Sequence, residues 1–235
     1  GNTLIKLNVI NNSEIVYNQA IDELQPQSIL HLLKTYSVNS AILASTRALT
    51  INDFQPWWPT HIPLLEFDNQ LSIPIGINYQ TPETLGRDRI AGAVAAWQLF
   101  NKQHSLVISL GTAITVDYIS DNGYFEGGTI SPGMNLRFKS LHAFTGKLPL
   151  VEPGLNTELK GESTLQAIQY GVINSIIFEI NEYIACYYKK VNQIQVIITG
   201  GDAPFFKTFI NSEVSFEPFL IAQGLNEILK YNLKK

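Results

Sequence analysis

The sequence predicts an α/β protein built from two related domains. Strand-like and helix-like segments alternate along its 235 residues, a length sufficient for two domains of about 110 residues each. A glycine–threonine pair also recurs at a similar place in each half. Gly1-x-Thr3 opens a predicted hairpin, and Gly111-Thr112 lies between two later strands. We therefore predict domains 1–104 and 105–235, each beginning with a hairpin, and a ligand site in the cleft between such lobes.

Composition excludes several classes of protein. The chain is 45% hydrophobic with a net charge of −4, and it has no basic stripe of the kind that binds nucleic acid. No apolar run approaches the roughly 20 residues that a membrane span needs. Its single Cys186 excludes an internal disulfide framework and favours a reducing cytoplasm. The four histidines are isolated, without the spacing of metal ligands.

In the first half, alternating residues predict strands at Leu4–Val9 and Glu14–Asn18, joined as a hairpin. A short helix is predicted at Ser28–Tyr36 and a buried strand at Ser40–Ser45. Apolar residues at helical spacing then predict a helix that begins near residue 90 and extends to residue 100.

The second half has the clearer pattern. Two adjacent segments read as strands, and Asp121-Asn122-Gly123 is a strong hairpin turn. Gly127-Gly128 and Pro132-Gly133 indicate a loop region. The predicted elements are strands Leu106–Leu110, Ala113–Ile119 and Ile194–Thr199, a long helix Ser163–Tyr188 and a last helix Pro218–Tyr231.

The two Gly-Thr turns have a chemical interpretation. Backbone N–H groups bind phosphate oxygens most closely where no Cβ intervenes, and a neighbouring threonine adds a hydroxyl donor. Lys6, shortly after the first turn, could bring a cation to the same phosphates. Each turn alone is more simply a hairpin bend, but two at matched positions favour phosphate binding.

Asp88 lies in Gly86-Arg87-Asp88-Arg89, at the start of the predicted helix. A carboxylate there is favoured by the helix dipole by about 0.3–1 kcal/mol, which explains it without any chemistry. Alternatively, Asp88 is a general base for a substrate hydroxyl, with Arg87 and Arg89 available to bind a substrate carboxylate. Spacing alone leaves these two interpretations equal.

Gly200-Gly201-Asp202-Ala203 follows a buried strand. A glycine pair at the carboxyl end of a strand lets a flat ligand such as adenine approach the backbone. The same residues could equally form a tight connection between a strand and a helix.

Along nearly its whole length the chain resembles type III pantothenate kinases, members of the acetate kinase, sugar kinase, Hsp70 and actin superfamily. The resemblance implies two RNase H-like (actin-like ATPase) domains with mixed sheets flanked by helices, and a cytoplasmic homodimer. It also implies transfer of phosphate from ATP to pantothenate, the first step toward coenzyme A. The matching motifs are Gly1-Asn2-Thr3 with Lys6, Tyr79, Gly86–Arg89, Gly111–Asp117, Gly127–Gly133, Leu148-Pro149, Ser163-Thr164 with Gly171, and Thr199–Ala203.

The resemblance also implies roles for individual residues. Asp88 would be the proton acceptor. The pantothenate pocket would comprise Tyr79, Gly86, Arg87, Asp88, Arg89 and Thr164, with Thr164 serving a neighbouring subunit. ATP would contact Gly1, Asn2, Thr3, Lys6 and Thr112, and the Thr199–Ala203 loop would lie on the adenosine side. The family requires Mg²⁺ with ATP and usually a monovalent cation, K⁺ or NH₄⁺.

Two departures from the family pattern bear on these roles. The family carries an Asp two residues before the first Gly, and this chain starts too late to show it, so we expect the first strand to begin before Gly1. The family also has an Asp, the monovalent-cation ligand, where this chain has Ser109. Because a neutral Ser is a poorer potassium ligand, we expect weak potassium activation or none. Two alternatives remain: an accessory regulatory protein on the same scaffold, and another small-molecule kinase of the superfamily.

Overall fold

The computed structural model of the protein describes residues 5–45, 49–68 and 70–234. Its strands are β1 (Ile5–Asn11), β2 (Glu14–Ile21), β3 (Ala41–Leu43), β4 (Leu64–Glu66), β5 (Gly76–Ile77), β6 (Ser105–Leu110), β7 (Ala113–Ile119), β8 (Tyr124–Pro132), β9 (Gln195–Thr199) and β10 (Ser215–Phe216). Its α-helices are α1 (Pro26–Thr35), α2 (Arg87–Leu99), α3 (Met134–Ala143), α4 (Thr164–Lys190), α5 (Ala203–Phe206) and α6 (Leu220–Leu233).

The chain forms two compact units. The first unit extends to Leu99 and resumes at Phe219, and the second unit is Phe100–Pro218. The domains predicted from the sequence had a single boundary, between residues 104 and 105, and the second domain included the last helix. In the structure α6 packs closely against α2 and therefore belongs to the first unit. A Cβ on Gly224 of α6 would lie 1.8 Å from the carbonyl oxygen of Ala91 of α2, so only glycine permits this approach.

The first unit begins with the predicted hairpin. Strands β1 and β2 pair antiparallel, and the two residues of their turn, Asn12 and Ser13, both have positive φ, as a tight hairpin turn requires. Strands β3 and β4 form a separate parallel pair. Helix α1 buries Ile29 and Leu33 next to this hairpin and the tryptophan-containing segment, and it agrees with the helix that the sequence predicted.

The second unit is a mixed sheet flanked by helices. Its strands are hydrogen-bonded in the order β10-β9-β6-β7-β8; β7 is antiparallel to both neighbours, whereas β9 is parallel to both of its own. Helix α4 covers one face of this sheet with Ile173, Ile176, Ile180 and Ile184, all essentially buried. The helical spacing of Ile168, Val172, Ile176, Ile180 and Ile184 predicts a buried face, and all five are buried. Leu165 has the same spacing, at the first turn of α4, but is 55% exposed.

The region around Gly127 and Pro132 was predicted as a loop, and that prediction is wrong. The nine residues from Tyr124 to Pro132 form β8, paired with β7, because strand pairing outweighs the weak intrinsic preference of glycine. The sequence also missed α3, which follows immediately. None of the helices in the described part of the chain is long and apolar enough to span a membrane.

Candidate functional site

Asp88 lies in the first turn of α2. Gly86 immediately precedes the helix, and its carbonyl oxygen accepts a 3.1 Å hydrogen bond from the N–H of Ile90. A Cβ on Gly86 would lie 2.7 Å from Oδ1 of Asp88, so glycine leaves room for the carboxylate. Oδ1 accepts a 3.0 Å hydrogen bond from the N–H of Arg89, and the Asp88 side chain is exposed. The carboxylate is thus oriented by the backbone and accessible to a ligand.

The two arginines beside Asp88 have different environments. Arg87 donates from Nη1 to the carbonyl oxygen of Phe67 at 2.9 Å, and its guanidinium lies 6.0 Å from the centre of the Phe67 ring. Arg87 therefore fastens the start of α2 to the segment that follows β4. Arg89 is only 8% exposed, which is unusual for an arginine, so its charge is held inside the first unit.

The other residues of the first unit that the resemblance assigns to ligand binding lie apart in sequence. Tyr79 is half-buried in the loop after β5. Lys6 is exposed on β1, opposite Ala20 of β2. Gly1, Asn2 and Thr3, the predicted first phosphate turn, lie outside the described residues.

The predicted second phosphate turn, Gly111-Thr112, connects β6 to β7 in the second unit. The N–H of Gly133, just before α3, donates a 3.0 Å hydrogen bond to the carbonyl oxygen of Thr112, and Thr112 itself is exposed. A Cβ on Gly133 would lie 1.8 Å from the carbonyl oxygen of Gly111. The start of α3 therefore holds the Gly111-Thr112 turn through the backbone, and the Thr112 side chain remains accessible.

The glycine pair at the end of β9 adjoins the same turn. Gly200 has a φ of +101°, and a Cβ there would lie 2.1 Å from the carbonyl oxygen of Leu110. The next residue but one, Asp202, donates its N–H to that same carbonyl at 2.9 Å. Two loops that are some 90 residues apart in sequence thus meet at the end of β6, because parallel strands β6 and β9 end at the same sheet edge.

Ser109 has hydroxyl neighbours on both sides. In the sheet it lies opposite Thr115 of β7 and Thr199 of β9, so three hydroxyl side chains form one row. A carboxylate on the same face, Asp117, is 2% exposed and accepts a 3.1 Å hydrogen bond from Oγ1 of Thr115. The row itself offers only neutral oxygens, so these residues do not fit a potassium site whose main ligand is a carboxylate at position 109.

Thr164 is the exposed first residue of α4, directly after Ser163, whose Oγ accepts the N–H of Gln166 and caps the helix. Ser175, eleven residues further along α4, accepts a hydrogen bond from Nη1 of Arg137 of α3. At 1.5 Å per residue, Thr164 lies about 16 Å along the helix from that contact. Within the second unit Thr164 therefore lies about three helical turns before the contact with α3.

An ion pair that the sequence did not reveal lies at the start of α3, next to the Gly111-Thr112 turn. Arg137 of α3 pairs with Glu179 of α4 and donates from Nε to the carbonyl oxygen of Pro132 at 2.7 Å. Both side chains are less than one-fifth exposed. The helical spacing of Met134, Phe138 and Leu141 was the available signal for α3. No pattern in the sequence indicated that Arg137 pairs with Glu179, which lies more than forty residues away.

The structure thus groups the predicted residues within each unit. Gly86, Arg87, Asp88 and Arg89 form one turn in the first unit, while Ser109, Thr112 and the Gly200–Asp202 loop adjoin in the second. Among the described residues no three His, Cys, Asp or Glu side chains form a group that could hold a metal ion.

The mixed sheet, its flanking helices and the glycine-rich turns at its edge define an α/β protein. The family model described as type III pantothenate kinase matches residues 1–186. A type III pantothenate kinase of Azobacteroides pseudotrichonymphae is 36% identical over 100% of this chain and 95% of its own. One from Bacteroides fragilis is 38% identical over 99% of this chain and 96% of its own. The chain belongs to the type III pantothenate kinase family.

A solved structure from Campylobacter jejuni, described as a conserved Baf family transcriptional activator, is similar with a TM-score of 0.55. The two sequences are 23% identical, and the match covers 83% of this chain and 98% of that chain. At this identity the likeness shows the fold alone.

Proposed function

We propose that the protein transfers the γ-phosphoryl group of ATP to the primary hydroxyl of pantothenate, giving 4′-phosphopantothenate and ADP in the first step of coenzyme A biosynthesis. The observation that carries this proposal is the exposed Asp88 carboxylate, oriented by its hydrogen bond to the Arg89 N–H in a turn that Gly86 keeps open. We assign pantothenate as the substrate because the chain belongs to this family. We also place the reaction in the cytoplasm.

In this reaction Asp88 accepts the proton of the pantothenate hydroxyl group, and the oxygen of that hydroxyl group attacks the γ-phosphorus of ATP. The bond from that phosphorus to the β,γ-bridging oxygen breaks, and ADP leaves. Because phosphoryl transfer has a loose transition state, positioning and neutralisation of charge contribute more than the base itself. The N–H of Arg89 occupies Oδ1 at 3.0 Å, so Oδ2 is the oxygen that we assign to the proton.

Pantothenate is an anion, and we assign its recognition to Tyr79, Gly86, Arg87 and Arg89, with Thr164. Arginine side chains bind carboxylates well. Arg87 already donates a hydrogen bond to the carbonyl oxygen of Phe67, so its main contribution is to hold the turn in place. For ATP we assign Thr112 and the backbone of its turn to the phosphates, together with Gly1, Asn2, Thr3 and Lys6. Mg²⁺ enters with ATP, bound mostly by phosphate oxygens and water, as this ion prefers.

We also propose a homodimer in which Thr164 of one subunit completes the pocket of the other. Thr164 is exposed and about 16 Å along α4 from the contacts that support the Thr112 turn. Two large apolar side chains close to it in the chain are exposed: Leu159 is 86% and Leu165 55% exposed. Exposed apolar side chains that lie close together are typical of an interface between subunits.

The test is a coupled assay of ADP release with pantothenate and Mg-ATP. Asp88→Asn should lower kcat by about 10²–10⁴-fold, the usual contribution of a general base, with little change in stability because the side chain is exposed. Glu83→Gln is the matched control, an exposed acid in the preceding turn whose loss should leave the rate unchanged.

A second candidate, a non-catalytic accessory protein on the same fold, is favoured by one observation, the neutral Ser109. It predicts a folded dimer without pantothenate-dependent ADP release. Turnover that survives Asp88→Asn unchanged would instead remove Asp88 from the chemistry while leaving the kinase assignment intact.

A further inference from the structure

Asp202 is a half-buried carboxylate to which the proposed reaction gives no role. It precedes α5, yet its side chain makes no capping hydrogen bond. Nowhere in the described chain does a donor or a cation reach its carboxylate. Burial alone raises the pKa of Asp202 above its ordinary value. A carboxylate that loses water without gaining a partner destabilises the folded protein, so a bound ligand is a natural partner for it.

Its position limits what that ligand can be. The N–H of Asp202 is held by the carbonyl oxygen of Leu110 at 2.9 Å. Leu110 directly precedes the Gly111-Thr112 turn, which we assign to phosphates. On the other side of Asp202 lie Gly200 and Gly201. Gly201 has no atom within 4 Å of the position where its Cβ would be, so a flat ring can approach the backbone there.

A nucleotide has its ribose between its base and its phosphates, so the ribose fits between the glycine pair and the phosphate turn. Its 2′ and 3′ hydroxyl groups are adjacent donors, and a carboxylate is an acceptor with two oxygens that can bind both. We propose that Asp202 accepts hydrogen bonds from the ribose hydroxyls of the nucleotide and thereby selects ribonucleotides over 2′-deoxyribonucleotides. This inference rests on the proposed function, because it requires a nucleotide at this turn.

A divalent cation is the main competing ligand for Asp202. Among the described residues no three acidic, histidine or cysteine side chains come together, as a metal site built from protein ligands would require. The glycine pair next to Asp202 also suits a base better than a hydrated metal. A direct phosphate contact is disfavoured because both groups are negatively charged.

The experiment compares binding of Mg-ADP and Mg-2′-deoxy-ADP by calorimetry, using the full chain. The wild-type protein should bind ADP about ten-fold or more tightly than the deoxy form, the range expected for one hydrogen bond to a charged acceptor. Asp202→Ala should bind the two nucleotides almost equally, and Asp202→Asn, which keeps the shape and one acceptor, should fall between. Glu213→Gln, an exposed acid of the same unit, should retain the wild-type preference.

Three results would overturn the inference: equal binding of both nucleotides by the wild-type protein, an unchanged preference in Asp202→Ala, or a loss of affinity that excess Mg²⁺ restores. Binding does not depend on turnover, so the two proposals fail separately. Selective ADP binding without pantothenate phosphorylation would refute the proposed reaction but support the role of Asp202. Normal turnover with no ribose selectivity would do the reverse.

Discussion

The N–H of Gly133 donates a 3.0 Å hydrogen bond to the carbonyl oxygen of Thr112, which ties the start of α3 to the turn between β6 and β7. The approach is so close that a Cβ on residue 133 would lie 1.8 Å from the carbonyl oxygen of Gly111. A side chain here must therefore displace backbone that we assign to phosphate binding.

We expect Gly133→Ala to lower the free energy of unfolding by about 1–3 kcal/mol, the usual cost of overpacking, and to raise the KM for ATP more than that for pantothenate. Denaturant titration and steady-state kinetics measure the two effects. Gly171→Ala is the control: its Cβ would meet no atom within 4 Å, and alanine should stabilise α4 by about 0.5–1 kcal/mol. Equal effects from both substitutions would contradict the steric argument.

Potassium should have little effect on the rate. Ser109 and its neighbours Thr115 and Thr199 provide neutral oxygens only, and the carboxylate on that face, Asp117, already accepts a hydrogen bond from Thr115. We expect nearly equal kcat values in potassium and sodium chloride at the same ionic strength. Ser109→Asp should introduce potassium activation and lower stability without the cation, because the added charge is half-buried. Strong potassium activation of the wild-type enzyme would refute this prediction.

The carboxylate of Asp202 should make stability depend on pH. Its pKa is raised by burial, so the folded protein binds its proton more tightly than the unfolded chain does. Stability from this group is therefore present at low pH and lost as pH rises from the ordinary value of 3.8 through the raised value. At pH 7 Asp202→Asn should have a higher Tm than the wild-type protein, and the difference should shrink toward pH 4.

Thermal unfolding of both proteins across that pH range measures the effect, with Glu213→Gln as the exposed comparison. A less stable Asp202→Asn at pH 7 would mean that the carboxylate has a stabilising partner after all.

Mixed dimers test the proposed role of Thr164. If each pocket combines Asp88 of one subunit with Thr164 of the other, a dimer of Asp88→Asn and Thr164→Val subunits contains one intact pocket. Random mixing of the two variants should then restore about a quarter of the wild-type activity at low pantothenate, where each variant alone is weak. Activity no higher than the average of the two separate variants would place both residues in one subunit or exclude Thr164 from the pocket.

Local patterns predicted much of this protein. The hairpin β1–β2, helices α1, α2 and α4 and strands β6, β7 and β9 follow from short-range periodicity and turn residues, which act within a few positions of the chain. The same patterns failed at β8, where glycines that indicated a loop are instead held in a strand by pairing with β7. Motif order was sufficient to identify the family, since it depends on residue types rather than on contacts.

The sequence by itself determined the α/β class, the family and the candidate residues, because these are written in local spacing and motif chemistry. Only the tertiary structure decided that α6 returns to the first unit, that Gly133 supports the Thr112 turn, and that Asp202 meets the end of β6 without a partner for its carboxylate. Each of these depends on contacts between residues that are far apart in the chain, and such contacts arise from packing and sheet pairing, which a local pattern does not record.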